Sequence, residues 1–194
     1  MRHEFQGVRL AMDEATRIVR QSYGAVVPTD MRVAESLYDP QEIAWLPAPV
    51  KNYALGLGNP IRHAALQPGE IVLDIGSGAG IDTFIAARQV RSGGRAIGLD
   101  MTPEMLERAR ANQRILGLTN VEFREGTMEQ IPLGDASVDA IISNGVINLS
   151  TEKGQTFREL YRVLKPSGRL VFADSVVNGQ LPRSVLDSEA AFAG

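Results

Sequence analysis

The residues most suited to chemistry lie in one short segment near the middle of the chain. Asp74 stands in an apolar run, and every second residue after that run is a glycine: Gly76, Gly78 and Gly80. Glycines let the backbone turn tightly and approach a ligand closely, and a helix that follows them opens with free amide groups. The spacing predicts a ligand-binding loop between a strand and a helix, with a tight turn that binds nothing as the alternative.

The charge of this segment indicates the kind of ligand. The dinucleotide fingerprint needs a glycine at position 81, which is Ile81 here, and a pyrophosphate is disfavoured beside Asp74. A carboxylate instead suits a cofactor that carries an ammonium group, such as S-adenosylmethionine. In this interpretation Asp74 meets the ammonium, the amides of 76–80 meet the methionine portion, and Asp100 accepts the ribose hydroxyls.

Further side chains follow other predicted strands. Met101 would flank the adenine, Met128 would cover its other face, and Glu129 would contact the edge of the base. Thr127 belongs to the same strand end, and Asn59 would reach the site from the segment that precedes the first strand.

The elements that must position these residues alternate along the chain. Apolar runs predict strands at 71–75, 95–100, 121–124, 138–143 and 169–174, and amphipathic segments predict helices at 81–90, 103–116 and 152–165. This alternation predicts an α/β fold with a doubly wound, mostly parallel, Rossmann-like sheet. Ligands bind such sheets beyond the carboxyl ends of the strands, where the residues named above lie.

The remainder of the chain and its composition set further expectations. Residues 1–60 are predicted to form an N-terminal helix over 5–23 and an irregular lid arm with a short helix near 41–46, and residues 61–194 to form the core. The 194 residues carry a net charge of −3, no cysteine and two histidines. We therefore expect no nucleic-acid partner, no disulfide and no metal. Without an apolar run of about 20 residues we expect no membrane partner and a cytoplasmic location.

Six segments, in order over about 55–178, resemble the class I S-adenosylmethionine-dependent methyltransferases, and within them the arsenite methyltransferase family. The matching segments are 56–60, 72–78, 98–106, 120–126, 141–150 and 162–166. The resemblance implies a methyltransferase fold, S-adenosylmethionine as cofactor, and a main-chain group of Asn144 near the methionine ammonium. The predicted cofactor-binding residues are Asn59, Asp74, Gly76, Ser77, Gly78, Gly80, Asp100, Met101, Thr127, Met128, Glu129 and Asn144.

The chain departs from that family at the residues that bind arsenic. The resemblance implies cysteines where this sequence has Leu57 and Gly145, and a third beyond Gly194. A thiolate arsenic site cannot form without cysteine, so we expect a small-molecule methyl acceptor in a less polar pocket. His63 and Asp174 are weak candidates for a general base, and no catalytic residue is predicted. A cofactor-binding but inactive subunit or scaffold is the alternative, and a nicotinamide-dependent dehydrogenase is disfavoured.

The end of the chain raises a further expectation. Class I methyltransferases finish their sheet with an antiparallel hairpin, whereas about 20 residues without a convincing strand pair follow Asp174. The C-terminal strands are therefore predicted to be missing or supplied by another subunit, which would leave the fifth strand as an exposed edge. A homo-oligomer is the corresponding expectation.

Overall fold

A computed structural model of the protein describes residues 12–28, 31–176 and 178. Its centre is a sheet of five parallel strands in the order β3-β2-β1-β4-β5. The strands are β1 (Ile71–Ile75), β2 (Arg95–Asp100), β3 (Val121–Glu125), β4 (Val138–Asn144) and β5 (Leu164–Ala173). The predicted doubly wound parallel sheet is thereby confirmed. Because the strand order reverses beside β1, a crevice opens between β1 and β4 at the carboxyl ends of the strands.

Eight helices accompany the described strands. They are α1 (Met12–Gly24), α2 (Arg32–Leu37), α3 (Pro40–Ile43), α4 (Ala48–Lys51), α5 (Ile61–Ala64), α6 (Ile81–Val90), α7 (Pro103–Leu116) and α8 (Lys153–Val163), with a 3-10 turn at Ile147–Leu149. Pro103 starts α7 after the extended Thr102, and Gly117 ends it at φ +66°. Proline at the first helical position and glycine after the last turn are the expected boundary residues.

The C-terminal boundary of α8 differs from the prediction. The sequence predicts a helix to 165 and a strand from 169, whereas α8 ends at Val163 and β5 begins at Leu164. Lys165 precedes Pro166, and the residue before a proline is disfavoured in helical conformation. Proline is tolerated in β5 because this strand lies at the edge of the described sheet.

The segment before the sheet is more ordered than the predicted irregular arm. It contains α2, α3 and α4, and the helix predicted near 41–46 is observed as Pro40–Ile43. Its apolar side chains Ala34, Ile43 and Val50 are buried in the same hydrophobic cluster as Phe84 of α6. The arm and the helix that follows the glycine loop therefore share one core.

Several expectations concern features outside this part of the chain. The first residues of the helix predicted at 5–23, and the C-terminal segment from 179 onward, lie outside the described residues. Within the described residues, no helix combines the length and apolar character that a membrane span requires. The predicted self-association through the β5 edge stays a prediction.

Candidate functional site

A cleft of about 860 Å³, including its open mouth, lies at the carboxyl ends of β1, β2 and β4. The glycine loop 76–80 forms one wall, the end of β2 a second, and the end of β4 a third. The crevice predicted from the strand order is therefore a real cavity.

The backbone of the glycine loop is hydrogen-bonded to β2. The amides of Gly76 and Ser77 both donate to the carbonyl oxygen of Leu99, at 2.8 and 3.0 Å, and the amide of Gly80 donates to the carbonyl oxygen of Ser77 at 2.9 Å. The sequence predicted that these amides face the cofactor. They are instead used within the protein, and they make the loop a preformed wall.

The three glycines of the loop all have positive φ angles, which favour glycine. Gly76 has φ +70°, and a Cβ atom there would lie 2.6 Å from a methyl group of Val146. Gly78 has φ +52°, and a Cβ atom there would meet no atom within 4 Å. A side chain is excluded at Gly76 by contact, whereas the bare backbone of Gly78 faces open space where a ligand can approach it.

Asp100 lies at the end of β2, where the sequence places it. Its carboxylate accepts the amide of Gly78 at 2.8 Å and the amide of Thr102 at 2.9 Å. Burial raises the pKa of Asp100, and these backbone hydrogen bonds oppose the increase. A carboxylate offers about four acceptor positions, so the two amides fix Asp100 and leave capacity for ligand hydroxyls.

Asp74 and Asp82 form a buried acidic pair in the same cavity. The carboxylate of Asp74 accepts the hydroxyl of Thr83 at 2.6 Å. Burial raises the pKa of Asp74 well above its ordinary value, and the nearby Asp82 raises it further. Burial also raises the pKa of Asp82 to about 6. Two adjacent carboxylates out of water favour a bound cation, which would offset their repulsion.

Asp82 is a cavity residue that the sequence reasoning missed. It lies in the first turn of α6, where an acidic residue is commonly explained by the helix dipole. Its carboxylate accepts the hydroxyl of Tyr38 at 2.8 Å and the side-chain amide of Asn144 at 3.0 Å. Tyr38 is buried, with its hydroxyl on this carboxylate.

The charged side chains among the described lining residues are all acidic. Asp74, Asp82 and Asp100 all contribute, and none of the described lining residues is Lys, Arg or His. A pyrophosphate would be repelled by this lining, whereas a ligand with an ammonium or sulfonium group would be attracted. The hydroxyl of Ser77 is also buried in the lining and has no hydrogen-bond partner among the described residues. A buried hydroxyl without a partner is the kind of group that a polar ligand satisfies.

Apolar side chains line the rest of the cavity. Met101 and Met128 contribute, as predicted for the two faces of an adenine. Val19 and Tyr23 of α1 and Tyr53 of the arm also contribute, so that the segment before the sheet covers the cleft. Burial raises the pKa of Tyr23, and Asp100 raises it further, which keeps this hydroxyl neutral.

Most of the predicted cofactor-binding residues meet in this cavity. Those in the lining are Asp74, Gly76, Ser77, Gly78, Asp100, Met101, Met128 and Asn144. Those outside the lining are Asn59, Gly80, Thr127 and Glu129.

The residues outside the lining have structural partners. The amide of Asn59 donates to Glu42 at 3.0 Å, and its oxygen accepts the backbone amide of Arg62 at 3.1 Å, at the start of α5. Glu129 accepts the hydroxyl of Ser150 at 2.6 Å. These side chains are therefore used to join loops and do not face the predicted ligand.

Thr127 and Gly80 also have roles in the fold. Thr127 forms an isolated bridge with Gln130. A Cβ atom at Gly80 would lie 2.8 Å from the ring of Phe84 and 2.9 Å from that of Phe123. Gly80 is thus required by packing beneath the loop.

The candidate bases and the positions that carry cysteine in the arsenite methyltransferase family fall into two groups. Asp174 accepts the backbone amide of Asn148 at 2.9 Å, and neither Asp174 nor His63 belongs to the cavity lining. Gly145 belongs to the lining, and Leu57 lies beside it without lining the cavity. A Cβ atom at Gly145 would lie 3.1 Å from Cγ of Leu57, and Gly145 has φ +78°. Among the described residues, no cluster of three acidic or histidine side chains has the arrangement of a metal site.

Comparisons with known proteins agree with this architecture. A family model described as a methyltransferase domain matches residues 66–193. The arsenite methyltransferase of Halobacterium salinarum is 47% identical over 148 residues, which cover 76% of this chain and 38% of that protein. The chain thus spans about two fifths of that relative's length.

Solved structures give the same result. The arsenic(III) S-adenosylmethionine methyltransferase of Chlamydomonas reinhardtii superposes with a TM-score of 0.68 and 38% identity, over 82% of this chain and 53% of that one. A SAM-dependent methyltransferase from Aquifex aeolicus gives a TM-score of 0.57 and 28% identity, over 76% of this chain and 80% of that one. The chain therefore belongs to the methyltransferase domain family and has the class I methyltransferase fold.

Proposed function

We propose that this chain binds S-adenosylmethionine in the cleft and transfers its methyl group to a small-molecule acceptor. The observation that carries the proposal is the acidic lining at the switch point of the sheet, with Asp100 held at its edge by two backbone amides. The unpartnered hydroxyl of Ser77 and the open space at Gly78 also fit a polar ligand. The chemistry that S-adenosylmethionine supplies is an activated methyl group on a positively charged sulfur.

Each part of the lining has a proposed task. Asp74 and Asp82 hold the cationic methionine portion, because buried carboxylates favour positive charge. Asp100 accepts the ribose hydroxyls through the acceptor positions that Gly78 and Thr102 leave open. Met101 and the other apolar side chains enclose the adenine. The arm over the cleft excludes water and aligns the acceptor, which are the main contributions a protein makes to this reaction.

The acceptor side favours a compound other than thiolate-bound arsenite. The chain has no cysteine, and the adjacent positions 57 and 145 carry an apolar side chain and a glycine. Because no described lining residue outside the acidic group is an evident base, we propose an acceptor atom that is already nucleophilic, such as a thioether, thiolate or amine. Such atoms react without prior deprotonation by the protein.

Calorimetric titration with S-adenosylmethionine, its demethylated product and NADH tests the cofactor assignment. We expect both adenosyl compounds to bind and NADH to fail, because its pyrophosphate meets three carboxylates. Tight NADH binding, or no binding of either adenosyl compound by folded protein, would remove the proposal. Binding without turnover on a broad panel of acceptors would favour the inactive subunit instead.

A further inference from the structure

The side chain of Asn144 joins the arm to the floor of the cavity. Its amide oxygen accepts the backbone amides of Leu57 at 2.8 Å and Gly58 at 3.0 Å. Its amide nitrogen donates to the carbonyl oxygen of Gly58 at 2.8 Å and to Asp82 at 3.0 Å. One side chain thus makes three contacts with the loop 56–58, a fourth with a buried carboxylate and a fifth, at 3.3 Å, with the hydroxyl of Tyr38.

The loop is closely fitted to this side chain. A Cβ atom at Gly56 would lie 2.5 Å from Cγ of Asn144, so only glycine allows the approach. Gly56 and Asn144 both line the cavity. The position of the loop therefore depends on how the Asn144 amide is oriented.

Asp82 and the two loop amides together set that orientation. An ionised carboxylate can only accept hydrogen bonds, so the amide nitrogen of Asn144 must face Asp82 and the amide oxygen must face the loop. Tyr38 donates to the other carboxylate oxygen at 2.8 Å and fixes the carboxylate in turn. If residue 82 could also donate, it would no longer exclude the reversed amide, and only the backbone amides of Leu57 and Gly58 would oppose it.

We propose that Tyr38, Asp82 and Asn144 form a latch that holds the loop 56–58 over the cavity, with Asp82 as its central positioning residue, and that bound S-adenosylmethionine strengthens the latch. The second half rests on the proposed function. A cation in a cavity lined by Asp82 favours the ionised carboxylate, which is the form that orients Asn144. The loop 56–58 is then held most firmly once the methyl donor is in place.

The charged surroundings of Asp82 support this coupling. The titratable groups that influence Asp82 and its partner Asp74 are Tyr38, Glu42 and Asp100. Burial raises the pKa of Asp82 to about 6. A fraction of the free protein is therefore protonated at this group near neutral pH, and a cationic ligand would remove that fraction.

Amide hydrogen exchange at Leu57 and Gly58 tests the latch in the free protein. Asp82→Asn preserves size but adds a donor, and Tyr38→Phe removes the hydroxyl that contacts both Asp82 and Asn144, without changing charge. We expect exchange at both amides to accelerate roughly 10- to 150-fold in Asp82→Asn, the range for a hydrogen bond to a charged group. The acceleration should be smaller in Tyr38→Phe, because Tyr38 acts on the loop through Asp82 and Asn144. Tyr161→Phe is the matched control, because Tyr161 is 83% exposed on α8.

The reference amide is that of Leu73, which lies fully buried in β1. Wild-type exchange at Leu57 and Gly58 in both variants would overturn the latch. Acceleration that Leu73 shares to the same extent would also overturn it, because it would report a global loss of stability.

Adding S-adenosylmethionine tests whether the bound cofactor strengthens the latch. We expect it to slow exchange at Leu57 and Gly58 in the wild type, and to slow it less in Asp82→Asn even at saturation measured by calorimetry. Equal slowing in both proteins would refute the coupling. If the wild type does not bind the donor at all, the proposed function and the coupling both fail, whereas the comparison of free proteins still decides whether the latch exists.

Discussion

Replacement of Asp100 by asparagine should weaken binding of S-adenosylmethionine without disturbing the sheet. The carboxylate accepts backbone amides from Gly78 at 2.8 Å and Thr102 at 2.9 Å. An asparagine has one acceptor oxygen and one NH₂ group, so it either turns a donor towards one of these amides or withdraws an acceptor from the ribose. Loss of one hydrogen bond to a charged acceptor costs about 1.5–3 kcal/mol.

This cost corresponds to a roughly 10- to 150-fold rise in the dissociation constant. The assay is calorimetric titration with S-adenosylmethionine and its demethylated product, which share the ribose. Because both ligands present the same hydroxyls, both affinities should fall by the same factor. A loss confined to S-adenosylmethionine would indicate that Asp100 acts on the sulfonium charge.

The matched control is Glu125→Gln. Glu125 pairs with Asp100 in the register of β2 and β3, and its side chain is 55% exposed, 3.6 Å from Arg20. This variant removes the same charge at the same edge of the sheet but outside the cavity lining, so we expect its affinity to stay within about twofold of the wild type because of solvent screening. Unchanged affinity in Asp100→Asn, or an equal loss in Glu125→Gln, would refute the ribose assignment.

Three further predictions concern stability and the acceptor side. The pKa of Asp82 is raised to about 6 in the folded protein. Its contribution to the free energy of unfolding is therefore present below a pH of about 4 and is lost as the pH rises through about 6. Urea titrations should show a weaker pH dependence of this free energy in Asp82→Asn than in the wild type, and identical profiles would contradict this. Gly80→Ala would place a Cβ atom 2.8 Å from the ring of Phe84, on a backbone with φ +97°. It should lower the free energy of unfolding by about 2–5 kcal/mol, and a loss below about 1 kcal/mol would contradict this. The double variant Leu57→Cys/Gly145→Cys should bind arsenite in a calorimetric titration, and the wild type should not. Comparable binding by the wild type would reject the proposal that its methyl acceptor is a compound other than arsenite.

The sequence predicted the sheet and the glycine loop well because their signals are local. Alternating apolar runs specify the strands, and glycines at 76 and 78 are required by positive φ angles. Asp100 could be placed because it ends a predicted strand next to that loop. These features depend on a few neighbouring residues and on the rule that strand ends meet at one edge.

Contacts between distant segments could not be predicted in the same way. Tyr38 and Asp82 are 44 residues apart, and Asp82 and Asn144 are 62 apart, so no local pattern links them. The hydrogen bond from Asn59 to Glu42 could likewise not be foreseen, because only the folded arm brings the two residues near each other. The use of the loop amides within the protein likewise depends on how closely the loop packs on β2.

A crystal structure with the demethylated product of S-adenosylmethionine tests the central claim most directly. We predict the ribose hydroxyls within hydrogen-bond distance of Asp100, the adenine beside Met101, and the ammonium group facing Asp74 and Asp82. A cleft that stays empty at saturating ligand, or an adenosine located away from Asp100, would contradict the account.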